Sequence, residues 1–298
     1  MQLSAGVRLL SAQVHVAKNE NTKQRELHLC HSSCFFMDAG LLQDWLFEIR
    51  TWMDRNPDGV VTLVLVNMGG IDARELEGEY ARADIARYGY VPETIDKPLA
   101  LSNETFQTWP TLAQMIEKKG RLVTFVNPLK PDKQNAPYLL NEFDFVWENA
   151  YEVIEPTGFT CHPDRPANKT IAEMRDSGRL FLMNHILYWQ QAFGIQLPDL
   201  RHINTTNSWD GLGGLGLHMM ECGHQVSRRP TFVLVDFFNV GPAIEAVDIL
   251  NDVQNPVGRK NVTATVVEEH IAAGASMPVP RRILVASALA VGAWNLLA

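Results

Sequence analysis

The chain has 298 residues, room for one barrel-sized domain or two ordinary ones, and its 46% apolar content suits a large buried core. Its 26 Lys and Arg against 34 Asp and Glu leave a net charge of −8, and the basic residues form no long run. A nucleic-acid partner would require a basic face, so none is expected.

From residue 7 onward, short β-rich runs alternate with amphipathic helices, the sign of βα units. Strands are predicted over 7–14 and 27–31, the second leading into Cys30-His31-Ser32-Ser33-Cys34. Leu42, Trp45, Leu46, Ile49, Trp52 and Met53 then fall on one helical face, and Asn56-Pro57-Asp58-Gly59 ends that helix. Further strands are predicted over 60–67, 122–127, 145–149, 180–186 and 232–238, several of them apolar throughout, as strands covered on both faces are. The polar, glycine-richer stretches 68–114 and 191–229 read as elaborated loops. Lys118-Lys119-Gly120-Arg121 reads as an exposed helix end, and the 211–216 glycine run as a flexible loop lacking the Lys of a phosphate cradle. Gly241-Pro242 opens a helix carrying Ile244, Val247, Ile249 and Leu250.

Three runs carry a resemblance. They are Gly6-Val7-Arg8-Leu9-Leu10-Ser11-Ala12-Gln13-Val14-His15, Leu27-His28-Leu29-Cys30-His31-Ser32-Ser33-Cys34, and Thr231-Phe232-Val233-Leu234-Val235-Asp236-Phe237-Phe238-Asn239-Val240-Gly241-Pro242. In this order they resemble the phosphatidylinositol-specific phospholipase C superfamily, closest to its secreted fungal branch, over about residues 5–255. The resemblance implies an α/β protein with a TIM-type (β/α) barrel over residues 1–255. Seven predicted parallel strands fall one short of eight. The resemblance puts the missing strand, with the family's first catalytic histidine, ahead of Met1, as in a truncated gene model. An open, doubly wound sheet of seven strands is the alternative.

The implied function is phosphoric diester hydrolysis of a phospholipid or related phosphodiester by histidine acid–base catalysis. Its rival is a catalytically inactive barrel acting as a cell-surface binding protein. His31 matches the second family histidine, and Asp236 matches the acid that orients the first, so Asp236 is expected to lack that partner. Bacterial relatives place Arg at the position of Gln13, and metal-dependent relatives place carboxylates at Ser11 and Gln13. This chain has neither, so no metal or cofactor is expected. Gln13, His15, Asn67, Asn127, Glu148 and His185 are expected to line the mouth and bind substrate.

Four cysteines and the sequons at Asn103, Asn168, Asn204 and Asn261, taken with the resemblance, imply a secreted or cell-surface protein, although no signal peptide opens the chain. Cys30 is expected to pair with Cys34 and Cys161 with Cys222, with two other pairings open. The cysteine spacing does not fit a zinc site. Residues 256–282 read as a linker. The apolar tail 283–298, preceded by Ala273-Gly274-Ala275-Ser276 and a short spacer, reads as a lipid-anchor signal that would attach the protein to a membrane; a helix packed on the barrel is the alternative.

Overall fold

A computed structural model describes residues 1–19, 21–93 and 109–262. The tail 283–298, most of the linker and Asn103 lie outside the described residues. In chain order the elements are α1 (Gln2–Ala5), β1 (Leu9–Lys18), β2 (Arg25–Cys30), β3 (Asp38–Leu41), α2 (Leu42–Arg55), β4 (Val61–Asn67), α3 (Ala73–Arg82), α4 (Leu112–Glu117), β5 (Leu122–Asn127), β6 (Leu139–Asn141) and α5 (Glu142–Phe145). There follow β7 (Val146–Asn149), β8 (Pro163–Arg165), α6 (Ile171–Asp176), β9 (Leu180–His185), β10 (Tyr188–Gln190), β11 (Gln196–Pro198), α7 (Ile203–Thr206), α8 (Leu215–Val226), β12 (Phe232–Val235) and α9 (Ala243–Leu250). They divide into two compact units, giving a mixed α/β protein with a parallel-rich sheet in each. Among the described residues no helix is long and apolar enough to cross a membrane.

The N-terminal unit comprises Arg8–Phe145 with Ser177–Arg179, and its sheet runs β3-β2-β1-β4-β5-β6. β1, β4, β5 and β6 are parallel. β4 lies between β1 and β5 and is buried at all seven residues, which is why its sequence, VTLVLVN, barely alternates. The predicted helix forms as α2 and buries Leu42, Leu46, Ile49 and Met53. Arg121 is not exposed, as its basic cluster suggested. Its guanidinium donates to the carbonyls of Gly59 at 2.7 Å, Asn56 at 3.0 Å and Met53 at 3.3 Å, satisfying acceptors that the end of α2 leaves open.

One strand departs from expectation. β2 runs antiparallel to β1, with Val14 opposite Leu29 and Lys18 opposite Arg25. Its burial alternates along the first five residues, the pattern of a strand with one wet face, which an antiparallel hairpin accommodates and a parallel core does not.

The C-terminal unit holds Met1–Val7, Val146–Asp176 and the described residues from Leu180 onward. Its main sheet runs β12-β9-β7-β8, parallel except for the edge strand β8. Trp147 stacks on Phe181 at 3.9 Å in a core shared with Met174, Met183, Leu215, Met219 and Val226. The stretches expected to be loops contain α3, α7, α8 and part of α4. The glycine run 211–216 is the turn and first residues of α8, and it is packed. A Cβ on Gly216 would lie 2.2 Å from the Trp209 carbonyl oxygen. On α9, Ala243 and Ala246 are buried while Ile249 is exposed, so the buried face is offset from the predicted one. Both expected disulfides form, Cys30–Cys34 in the N-terminal unit and Cys161–Cys222 in the C-terminal unit. The sequon residues Asn168, Asn204 and Asn261 are all exposed.

Candidate functional site

In the N-terminal unit the β1–β2 hairpin runs past the parallel strand ends and returns, bringing His31 back to the level of Gln13. Gln13 is buried, and its Oε1 accepts from the Ser32 backbone N–H at 3.1 Å and from His15 Nε2 at 3.3 Å. The His31 Nδ1 lies 3.2 Å from Ser32 Oγ. The Cys30–Cys34 disulfide brackets this turn, in which Ser32 has a positive φ of 56°. Burial lowers the pKa of half-buried His31. The pKa of His15 is lowered by burial first, and then by neighbouring His31. Both imidazoles are therefore neutral at physiological pH, the state in which a ring nitrogen can accept a proton.

Asn67 and Asn127 end β4 and β5 as expected. The Asn67 amide, however, is committed to the backbone. It donates to Ile71 O at 2.8 Å and Pro128 O at 3.0 Å and accepts from Ile71 N at 2.9 Å. Asn67 thus fixes the two loops leaving these strands.

In the C-terminal unit, Glu148 on β7 is buried against the Arg165 guanidinium and accepts from Asn184 Nδ2 at 3.0 Å. Arg165 also lies over the Tyr151 ring, 4.4 Å from its centroid. His185 is wholly enclosed, with Phe159 stacked on it at 4.1 Å. Its Nε2 lies 2.8 Å from the Thr206 carbonyl and its Nδ1 lies 2.9 Å from His218 Nδ1. Carbonyls only accept, so His185 Nε2 donates to Thr206. Its Nδ1 then accepts the hydrogen bond from His218 Nδ1, and the His218 Nε2 lies 3.3 Å from the Thr160 carbonyl. Burial, then His218, holds the His185 pKa at about 3. His185 is a packed core group, with no open face toward a substrate. The Sγ atoms of Cys161 and Cys222 lie with His218 within 4.8 Å, but the disulfide occupies both sulfurs.

Asp236 lies one residue beyond β12 and is buried. Among the described residues, both of its carboxylate oxygens lack a hydrogen-bond partner. Its backbone is pinned by Asn207, whose Nδ2 donates to the carbonyls of Asp236 at 3.0 Å, Phe237 at 3.2 Å and Val240 at 2.9 Å. Burial pushes the Asp236 pKa well above 3.8, and the carboxylate adds to the burial that raises the pKa of Tyr188. A rigidly held, unpartnered buried acid is costly, and such costs concentrate at functional sites.

That cost can be measured. The folded carboxyl keeps its proton above the pH near 3.8 where the unfolded one loses it. Stability therefore falls as pH rises from about 4 until the folded group ionises. Asp236→Asn is expected to stabilise the protein by about 1–3 kcal/mol at pH 7, several °C in Tm, and by little at pH 3. Equal effects at both pH values would mean that the carboxylate has a partner.

His31 and Asp236, the two residues singled out from the sequence for catalysis, lie in different units, and Ser32, Arg165, Asn184, Asn207 and His218 were not singled out. Only His218 left a readable signal, four residues before Cys222 on the apolar face of α8.

A family model described as PI-PLC X 1 matches residues 1–251. The chain is 34% identical over 251 residues to a protein of Arthroderma benhamiae named PI-PLC X domain-containing protein 1, covering 84% of this chain and 76% of the relative. A second protein of that organism, described as an uncharacterized secreted protein, is 28% identical over 243 residues. That match covers 80% of this chain and 51% of the relative, so the chain spans about half that relative's length. No solved structure gives a significant match.

Proposed function

The chain belongs to the PI-PLC X domain family, and on that premise we propose that it is a phosphoric diester hydrolase of the phospholipase C type, built on a TIM-type barrel and acting outside the cell on a phospholipid or related phosphodiester. The observation that carries this reading is His31, a half-buried imidazole kept neutral by burial, on a disulfide-bracketed turn that Gln13 holds through the Ser32 N–H. Such a group can take the proton of an attacking hydroxyl or, once protonated, give one to the leaving oxygen; each step contributes about 10²–10⁴-fold. Gln13 is a positioning residue in this scheme. The two disulfides, the exposed sequon asparagines and the relative described as secreted support an extracellular setting.

The second reading, a non-catalytic binding protein, is favoured by Asp236, since no described residue supplies the histidine that the resemblance would place against it. The experiment measures inositol phosphate release from phosphatidylinositol by the protein and by its His31→Ala variant. Release that the substitution largely removes is expected; release that it leaves unchanged would overturn the role of His31, and no release from either would favour the binding protein.

A further inference from the structure

Three imidazoles lie along the β1–β2 hairpin and its following turn, and two of them keep a ring nitrogen open. His15 stands directly opposite His28 across the strands, so their side chains share a face, and Gln13, two residues before His15, lies on it too. His28 is already engaged: its Nδ1 lies 2.9 Å from Asp38 Oδ2 and its Nε2 lies 3.4 Å from Glu26 Oε2. His15 differs. Its Nε2 lies 3.3 Å from Gln13 Oε1, the same oxygen that accepts from the Ser32 N–H at 3.1 Å. An amide oxygen only accepts, so Nε2 carries the hydrogen and Nδ1 keeps its lone pair. The Gln13 amide cannot sit the other way round, because its NH₂ would then face the Ser32 N–H. Among the described residues, His15 Nδ1 and His31 Nε2 have no hydrogen-bond partner. One amide oxygen thus ties the His15 ring to the turn that carries His31.

We propose that His15 is the second catalytic residue of this site, handing a proton to the leaving oxygen while His31 takes one from the attacking hydroxyl. As the new O–P bond forms, the hydroxyl proton passes to His31 Nε2. As the old P–O bond breaks, the proton on His15 Nδ1 passes to the departing alkoxide. The roles then reverse: water attacks the phosphorus and gives its proton to His15, and His31 returns its own to the oxygen that attacked first. Each residue ends as it began. The pair needs one proton between two rings, and its electrostatics supply that state. Burial, and then neighbouring His31, lower the pKa of His15. Two imidazoles that repel each other take up one proton well before a second, which widens the pH range of the singly protonated pair. The groups facing His15 from the neighbouring strands, His28 with its Glu26 and Asp38 carboxylates, pair among themselves.

The inference rests on the phosphodiesterase reading and deepens it, and its test separates the two. The parent protein, His15→Gln, His28→Gln and His31→Ala would be assayed on two substrates. Phosphatidylinositol has an alkoxide leaving group that needs a proton, whereas inositol 4-nitrophenyl phosphate releases a phenolate that does not. His15→Gln is expected to lower kcat about 10²–10⁴-fold on the lipid and little on the aryl ester. His31→Ala should lower both, and His28→Gln neither. Equal losses on the two substrates in His15→Gln, or none, would overturn the inference, as would a selective loss in His28→Gln. With an active parent and an impaired His31→Ala, those results would leave the broader reading standing; a parent inactive on both substrates would end both. A second measurement needs no turnover. Followed by NMR, His15 should titrate at higher pH in His31→Ala than in the parent, because a like charge has been removed. An unmoved titration would show that the rings do not act as a pair, and would overturn the inference as well.

Discussion

His31→Ala is expected to lower phosphatidylinositol turnover by about two to four orders of magnitude while changing KM little. The imidazole moves a proton and contributes little uniform binding, so its loss should appear in kcat. Burial lowers its pKa, and the base form is the active one if His31 accepts the first proton. Activity should then persist to lower pH than an ordinary imidazole near 6.5 would allow. His31→Ala retains Ser32 and the disulfide, so the fold control is an unchanged Tm. Steady-state kinetics showing wild-type kcat in the mutant would remove His31 from the chemistry.

The second large effect is acid instability from the enclosed His185–His218 pair. The unfolded chain binds a proton at each histidine near pH 6.5, whereas burial keeps His185 neutral down to about pH 3. Stability attached to that neutral pair is full above pH 6.5 and drains as pH falls through this window. Each unit of a fully resisted titration is worth about 1.4 kcal/mol, so falling from pH 6.5 to 4.5 should cost roughly 2–3 kcal/mol. Asp236 works the other way, since its protonated form is favoured as pH falls toward 4. Denaturant midpoints of the parent and His185→Gln at pH 7.5 and 4.5 separate the two. The variant is expected to be less stable at pH 7.5 but to lose less on acidification. Identical losses in the two proteins would show that this pair does not carry the acid sensitivity.

Much of this architecture could be read from apolar runs. β4, β5 and β9 are nearly continuous stretches of buried residues, and their ends placed Asn67, Asn127 and His185 within a residue. The direction of β2 was misread because strand prediction weighs apolar content, while direction lies in the alternation of polar and apolar residues. β3, β6, β8, β10 and β11 were missed as elements, being three or four residues long, too short to establish a period. At the site, motif spacing pointed to His31 and Asp236, which carry the resemblance. It failed at His185, because a histidine ending a strand looks the same in sequence whether it faces a mouth or a second imidazole from a helix 33 residues away. The Gln13–Ser32 contact joins a side chain to a backbone amide, and side-chain identity alone says nothing about where such an amide points.

The return course of β2 also has a practical side. His31 is located by the cross-strand partners nearest to it, such as Val14 with Leu29, while the outer pairs as far as Lys18 with Arg25 form an overhang leading to a turn. A graft in that turn, such as an epitope, a fluorophore or a tether, is expected to leave the residues at the other end in place. The protein thus has a built-in handle, about five paired residues removed from its proposed chemistry.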